Sequence, residues 1–245
     1  GMGSFPDGVY RAQVPYYYRN PEGMPQEAAL DYYLNSIKDV FEQCGPADSI
    51  AAIVVQPLQG EGGFIPAPIE WVKAVRKICD ENGILLVADE VQTGFCRTGR
   101  MFATQYWEEA GVQPDILATA KSIAAALKTI EIMERDDLAG RSCEIGEKVS
   151  KRFNEWKEKY PVIGDVRGLG GMIGLEFVKD QKSKEPYPEF SAAVISGCAK
   201  KGLMIEGAGT YGNVIRFLAP LVMTDEQLEA GLDIYESVIK ELLEK

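Results

Sequence analysis

The 245-residue sequence contains no histidine, and this absence excludes several common kinds of active site. Without imidazole, the chain cannot form a Ser-His-Asp triad or a Cys-His pair of its own. Zinc sites that use histidine ligands are excluded for the same reason. Any chemistry therefore has to use lysine, carboxylates, tyrosine, cysteine or a bound cofactor.

Paired cysteines, excess basic charge and long apolar runs are also lacking. The five cysteines are widely scattered with no CxxC pair, so we expect reduced thiols in a cytoplasmic protein and no metal site. A formal net charge of −11 argues against binding to nucleic acid or to an anionic membrane surface. No apolar run approaches the roughly 18–20 residues that span a bilayer, and residues 1–4 do not resemble a signal peptide. We therefore expect no membrane, nucleic-acid or metal partner.

The first half of the chain alternates short apolar segments with helical patterns. Continuous apolar runs at 51–55, 84–88 and 116–119 are typical of strands that are buried on both faces of a sheet. The helical patterns cover about residues 25–44, 68–82 and 103–110. This alternation predicts an α/β fold with a mostly parallel sheet and right-handed crossovers.

A polar residue follows each predicted strand, namely Glu61, Asp89 and Lys121. Ligands bind beyond the carboxyl ends of parallel strands, so we expect these three side chains along one rim of the sheet. From the local pattern alone, Asp89 either caps a loop or pairs with a buried cation. Lys121 is either a surface charge or, because apolar residues surround it, an amine whose lowered pKa makes it a nucleophile.

The second half of the chain predicts a smaller α+β unit. A long helical pattern covers about residues 125–160, and two strands within 162–178 bend at Gly168–Gly171. A further helix is predicted at 189–201, strands at 203–206 and 214–218, and a last helix that begins at Thr224.

The segment Gly207–Gly212 matches the pattern GxGxxG. A dinucleotide site would need a helix directly after these glycines, but the apolar segment Val214–Leu218 is typical of a strand. We therefore interpret the glycines as a turn between strands.

Four segments, in order along the chain, resemble the signatures of class III pyridoxal-phosphate aminotransferases, the 4-aminobutyrate and acetylornithine type. They are Gln59–Gly63, Asp89–Gly99, Pro114–Ala124 and Asn213–Leu221. The last is similar to the 4-aminobutyrate branch. The resemblance implies fold type I of the pyridoxal-phosphate-dependent transferases, with a mostly parallel large domain and a smaller C-terminal α+β domain.

The resemblance also implies roles for residues that would bind pyridoxal 5'-phosphate. Lys121 would hold the cofactor covalently and later move the proton between the substrate Cα and the cofactor C4′. Asp89 would pair with the ring nitrogen and keep it protonated. Val91 would pack on one face of the ring, and Gln92 would form a hydrogen bond near its phenolate oxygen.

Glu61 and Arg216 are the implied substrate residues. Taken alone, each is more typical of a solvated surface charge. In the family, a Glu–Arg pair of this kind switches. Glu61 would cover Arg216 while the ω-amino donor is bound. Arg216 would then be exposed to bind the α-carboxylate of 2-oxoglutarate, because a planar guanidinium group can donate two parallel hydrogen bonds to a carboxylate.

The sequence departs from the family pattern in several places. The family's N-terminal part, with its phosphate-binding loop, is absent, and Gln56 stands where Glu is usual and Cys96 where Gly is usual. After Ala124 the family continues through Gly-Gly and a long stretch that contacts the phosphate of a neighbouring subunit, whereas here Ala125 starts the next helical pattern. We therefore expect a segment to be missing between residues 124 and 125. Either it is deleted from the protein, or it is mobile and not included in the sequence, and we favour the second explanation. We therefore predict part of the large domain at 1–124 and the small domain at 125–245.

Three functions compete. The first is transfer of an ω-amino group from 4-aminobutyrate or a related ω-amino acid to 2-oxoglutarate by a homodimer with shared active sites, with an acetylornithine or ornithine aminotransferase as its alternative. The second is an amino-acid racemase or epimerase of the same family, which would use Lys121 and Asp89 but need no 2-oxo acid. The third is a non-catalytic fragment. We expect the first.

Overall fold

A computed structural model describes residues 7–119 and 123–244 of the chain. The helices are α1 (Gln26–Gln43), α2 (Ile69–Asn82), α3 (Gln105–Glu109), α4 (Ile123–Arg135), α5 (Leu138–Lys159), α6 (Pro188–Lys200) and α7 (Asp225–Leu243). The strands are β1 (Ala52–Val55), β2 (Leu58–Gln59), β3 (Ile65–Pro66), β4 (Leu85–Asp89), β5 (Ile116–Ala118), β6 (Ile163–Leu169), β7 (Met172–Phe177), β8 (Glu206–Ala208) and β9 (Val214–Leu218). Short 3₁₀ turns lie at Tyr17–Arg19 and Ala47–Ser49. Not one of the described helices is both long enough and apolar enough to cross a membrane.

The described residues form two compact units. The first contains residues 7–55, 67–88 and 107–117, and the second contains residues 56–66, 89–106, 118–119 and 123–244. The predicted boundary between residues 124 and 125 follows directly after residues 120–122, which lie outside the described part of the chain. That boundary therefore stays a prediction.

The first unit is built on a sheet with the strand order β1-β4-β5. Strand β1 pairs with β4 in parallel, with Ala52 opposite Leu85 and Val55 opposite Ala88. Helix α2 makes the crossover between them, and Gly83 caps its C-terminal end with a left-handed φ of 67°, which suits glycine at this position. The structure thus confirms the predicted α/β pattern of this half.

Only one face of this sheet is buried among the described residues. Leu86 and Ala88 are completely buried in a core that includes Trp71 of α2, whereas Val54 is 65% exposed and Leu85 is 45% exposed. Successive side chains of a strand point to opposite faces, so helices on one side bury every second residue. The expectation that these strands are buried on both faces is wrong for the described structure.

The second unit contains a four-stranded antiparallel sheet with the order β6-β7-β9-β8. All six residues of β7 are buried, and α5, α6 and α7 contribute to the same core, as in the edge-to-face contact of Phe153 with Tyr235 at 5.7 Å. The predicted α+β character of this half is confirmed.

The helical pattern predicted at 125–160 is confirmed, and it consists of two helices. Helix α4 ends at Arg135, and α5 begins at Leu138. Between them, Asp137 has a left-handed φ of 44°, and its carboxylate accepts a hydrogen bond from the Gly140 amide at 3.2 Å. Aspartate competes with helical hydrogen bonding in this way and starts a new helix.

The Gly207–Gly212 segment contains the end of β8 and a turn between antiparallel strands, as predicted. The Gly212 amide donates to the Gly209 carbonyl oxygen at 2.9 Å, and β8 and β9 pair on either side. Strand β8 lies at 206–208 instead of 203–206, so the predicted strand was placed too early. The two-residue strands β2 and β3 were not predicted, because they are too short for a detectable pattern.

Candidate functional site

The carboxylate of Asp89 lies at the end of β4 and accepts hydrogen bonds from neutral donors. One oxygen, Oδ1, accepts from the Val91 amide at 3.1 Å, and Oδ2 accepts from Gln56 Nε2 at 3.4 Å. Among the described residues, no cationic side chain contacts this partly buried carboxylate. Its remaining lone pairs can therefore accept from a protonated ligand.

The next residue, Glu90, is completely buried and fixes the loop after β4. Its carboxylate accepts from Thr93 Oγ1 at 2.5 Å and from the amides of Ala103 at 3.0 Å and Thr104 at 2.6 Å. Buried carboxylates need such donors. Glu90 was not among the predicted site residues, although the alternation along a strand turns one of two adjacent acids inward.

Val91 and Gln92 lie on the loop that Glu90 holds. The apolar side chain of Val91 is 58% exposed, so it is open to contact with a ligand. Gln92 donates from Nε2 to Glu61 Oε1 at 3.4 Å, and its own Oε1 is buried without a partner in the described part of the chain. An amide with this incomplete hydrogen bonding is able to rearrange around a bound group.

Arg216 on β9 bridges two carboxylates. Its Nη1 contacts Glu61 Oε1, and its Nη2 lies 2.8 Å from Glu206 Oε2. Burial by itself lowers the pKa of Arg216, but the hydrogen bond with Glu61 and the charges of both acids outweigh it and raise that pKa above its usual value. The side chain of Arg216 is only 14% exposed, and its Nε is buried without a partner among the described residues. We expected Glu61 at this arginine but not Glu206.

The loop that carries Glu61 is held through its backbone. The Glu61 carbonyl oxygen accepts from the Gly209 amide at 2.9 Å, and the Gly63 carbonyl oxygen accepts from Arg167 Nε at 2.8 Å. On its other side, Arg167 Nη1 forms ion pairs with Glu176 at 2.7 Å and with Asp165 at 2.9 Å. Arg167 was not predicted as a site residue, because nothing in its local pattern distinguishes it from a surface strand residue.

Lys121 lies outside the described residues, so its distance from Asp89 is not part of the structure. Its role stays a prediction, as do the ligand-binding roles of the other site residues. No cluster of three or more potential metal ligands occurs in the parts of the chain described above.

Comparison with known proteins gives consistent matches over nearly the whole chain. A family model described as "Aminotransferase class-III" matches residues 1–127 and 122–239. The "Probable 4-aminobutyrate aminotransferase" of Bacillus subtilis is 37% identical, over 98% of this chain and 62% of that protein. The "Alanine/serine racemase" of Pyrococcus horikoshii is 34% identical, over 96% of this chain and 57% of that protein.

A solved structure with the same fold is an amine transaminase from an uncultivated Pseudomonas species in its PLP-bound form. It superimposes with a TM-score of 0.86 at 28% identity, over 98% of this chain and 63% of that one. The chain thus spans less than two thirds of the length of each of these relatives.

This chain also lacks internal positions that its relatives have. The alignment with the Bacillus protein runs over 275 positions, more than the 245 residues of the chain, so all of this excess consists of gaps in this chain. The family model matches in two ranges that overlap at residues 122–127. This overlap falls at the predicted break between residues 124 and 125, which stays a prediction.

Proposed function

The chain belongs to the class III aminotransferase family, and from this we propose that it is part of an enzyme that binds pyridoxal 5'-phosphate and transfers amino groups. The proposed donor is 4-aminobutyrate or a related ω-amino acid, and the proposed acceptor is 2-oxoglutarate. The single observation that supports this substrate pair best is the contact of Glu61 with Arg216 beside the loop that follows β4.

The described residues fit the ring of the cofactor by their chemistry. Asp89 offers a carboxylate whose described partners are neutral, which suits a protonated ring nitrogen. Gln92 offers an amide whose Nε2 is held by Glu61 only at 3.4 Å, so this donor is available to a ring oxygen. Val91 offers exposed apolar surface that a ring would cover.

When bound, the cofactor supplies an electron sink for bond breaking at the amino-bearing carbon. Asp89 holds the proton on the ring nitrogen, because an adjacent negative charge favours the protonated form. Lys121 holds the cofactor and moves the proton at the substrate carbon. Glu90 acts indirectly, since its three hydrogen bonds fix the loop on which Val91 and Gln92 lie.

Arg216 provides the means of accepting two different substrates in turn. With Glu61 on Nη1, the arginine is covered, and an ω-amino donor meets no free cation close to its amino end. When the Glu61 side chain rotates away, the guanidinium is open to the α-carboxylate of the 2-oxo acid, which it holds by charge-assisted hydrogen bonds. Glu61 is suited to this motion because its side chain is 77% exposed.

A racemase or epimerase is the second candidate, and the similarity to the Pyrococcus racemase supports it. Such an enzyme would use Lys121 and Asp89 in the same way, but it would need no 2-oxo acid. Acetylornithine and ornithine are alternative donors within the first candidate. A non-catalytic fragment is the third reading, and it predicts no amino transfer and no cofactor binding.

The test is an amino-transfer assay on the full-length protein that contains this chain, loaded with pyridoxal 5'-phosphate. We expect glutamate to form from 2-oxoglutarate with 4-aminobutyrate as the donor, and no product without the acceptor. A single enantiomer of alanine and a single enantiomer of leucine should be incubated in parallel, and the two enantiomers of each amino acid should then be separated to detect racemisation. Racemisation without 2-oxo acid, together with no glutamate, would replace transamination by the second candidate.

We also propose a homodimer with shared active sites in the cytoplasm, as expected from the family resemblance. Light scattering of the full-length protein should give twice the mass of one chain. A monomer that is fully active would reject the shared sites.

A further inference from the structure

Arg216 lies directly opposite Glu206 in the β8–β9 hairpin, and the two side chains form an ion pair at 2.8 Å. We propose that Glu206 is a specificity-determining residue that weakens the binding of carboxylate-bearing acceptors at Arg216. This inference rests on the proposed function, because it assigns the acceptor carboxylate to Arg216.

The two acids at Arg216 are held in different ways. Glu61 lies in a loop between two short strands, and its side chain can leave the guanidinium by rotation. Glu206 is fixed opposite Arg216 by strand register, because the next pairs, Gly207 with Ile215 and Ala208 with Val214, set the hairpin. The backbone of Glu206 therefore stays opposite Arg216 after Glu61 has moved away, and this position keeps its carboxylate within reach of the guanidinium.

Across the sheet, no positively charged side chain among the described residues neutralises the charge of Glu206. On its other side, Arg216 faces Gly174 of β7, which has no side chain. Beyond it, Arg167 is opposite Gly174 on β6, but its charge is already shared by Glu176 and Asp165. The positive charge that an incoming carboxylate meets is thus that of Arg216, shared with Glu206.

This sharing has a direct consequence for the class of acceptor. A dianion such as 2-oxoglutarate competes with Glu206 for the same guanidinium and is repelled by its carboxylate. An aldehyde without a carboxylate avoids both effects. Because the Glu206 side chain is 71% exposed, solvent screens the repulsion, and the expected change is twofold to about fivefold rather than larger.

The test compares Glu206→Gln with the unsubstituted full-length holoenzyme. Glutamine keeps the length and a hydrogen-bond acceptor but removes the charge, so we expect the KM for 2-oxoglutarate to fall about twofold to fivefold. The KM for an uncharged aldehyde acceptor, hexanal, should stay unchanged. Glu185→Gln is the matched control, because it removes one exposed acid paired with Lys179 and should leave both values unchanged.

Two further measurements separate this inference from the proposed function. The dissociation constant of glutarate, a dicarboxylate that cannot react, should fall by a similar factor in Glu206→Gln by calorimetry. In an Arg216→Gln background, the Glu206→Gln effect should disappear. The inference would be wrong if Glu206→Gln left the KM for 2-oxoglutarate and the dissociation constant of glutarate unchanged or raised them. If Arg216→Gln still weakened the binding of 2-oxoglutarate, the proposed function would stand. No amino transfer in the unsubstituted enzyme would overturn the proposed function.

Discussion

Glu61 contacts the guanidinium of Arg216 although the two residues are 155 positions apart in the sequence. This contact predicts that Arg216→Gln impairs the acceptor more than the donor. Loss of charge-assisted hydrogen bonds to the acceptor carboxylate costs about 1.5–3 kcal/mol, so the KM for 2-oxoglutarate should rise roughly tenfold to a hundredfold. The donor KM should change less than threefold or so, because Arg216 is covered in that step. Steady-state kinetics with each substrate varied separately provides the measurement.

Arg135→Gln is the matched control for that substitution. Arg135 pairs with Asp136 at 2.7 Å, and its side chain is 64% exposed, so its loss should leave both KM values unchanged. An Arg216→Gln enzyme with a normal KM for 2-oxoglutarate would remove this residue from the acceptor site.

Asp89→Asn is predicted to retain weak cofactor binding and to lose most transamination. The amide cannot hold a proton on the ring nitrogen by charge, so kcat should fall by at least about a hundredfold, on the scale of a lost electrostatic contact in an active site. Asp48→Asn, on a surface 3₁₀ turn, is the control. Absorbance titration with pyridoxal 5'-phosphate measures binding, and glutamate formation measures turnover. Near-normal turnover would contradict the role of Asp89.

Arg167→Met is predicted to destabilise the protein. It leaves Glu176, whose side chain is 1% exposed, without its cation and removes the donor to the Gly63 carbonyl. Breaking a buried ion pair costs about 3–5 kcal/mol. Urea unfolding of Arg167→Met and of the exposed control Arg135→Met, expected to cost less than about 1 kcal/mol, gives the comparison. Equal stabilities of the two variants would show that the Arg167–Glu176 ion pair contributes little to the free energy of unfolding.

Glu236 on α7 is predicted to make stability depend on acid pH. Burial alone raises the pKa of Glu236, but hydrogen bonds from Lys159, Tyr160, Lys240 and Arg152 outweigh it and lower the pKa to about 2. A lowered folded-state pKa stabilises the protein above the usual value of 4.5, and this contribution is lost as the pH falls towards 2.

The corresponding variant is Glu236→Gln, measured by urea unfolding between pH 7 and pH 2.5. At pH 7 it should cost on the order of 3 kcal/mol, and the difference from the unsubstituted protein should shrink below about pH 4.5. Glu241 lies on the same helix as Glu236 and forms a surface ion pair with Lys201, so Glu241→Gln should show a small difference at every pH. A cost for Glu236→Gln that does not change with pH would contradict the account.

The sequence predicted the elements whose patterns are local. Three apolar runs identified β1, β4 and β5, and the strand that follows Gly207–Gly212 distinguished a hairpin from a dinucleotide site. These features depend on the residues within one segment, so a single sequence contains the information.

Features that depend on distant contacts were not predictable. Glu206 was assigned to a strand that ended with it, whereas the observed strand starts there, and only the register with β9 places it against Arg216. The break at Asp137 was missed for a different, local reason, since it depends on a side-chain cap rather than on apolar periodicity. Arg167 depends on partners on another strand and on a loop more than 100 positions away.

The most direct test of the account is to find which lysine holds the cofactor. Full-length protein loaded with pyridoxal 5'-phosphate is reduced with borohydride, which makes the link permanent, and the labelled peptide is sequenced by mass spectrometry. The account predicts a single label on Lys121, none on the nearby Lys128, and none at all in Lys121→Ala. A label on a different lysine, or no label in the unsubstituted protein, would contradict it.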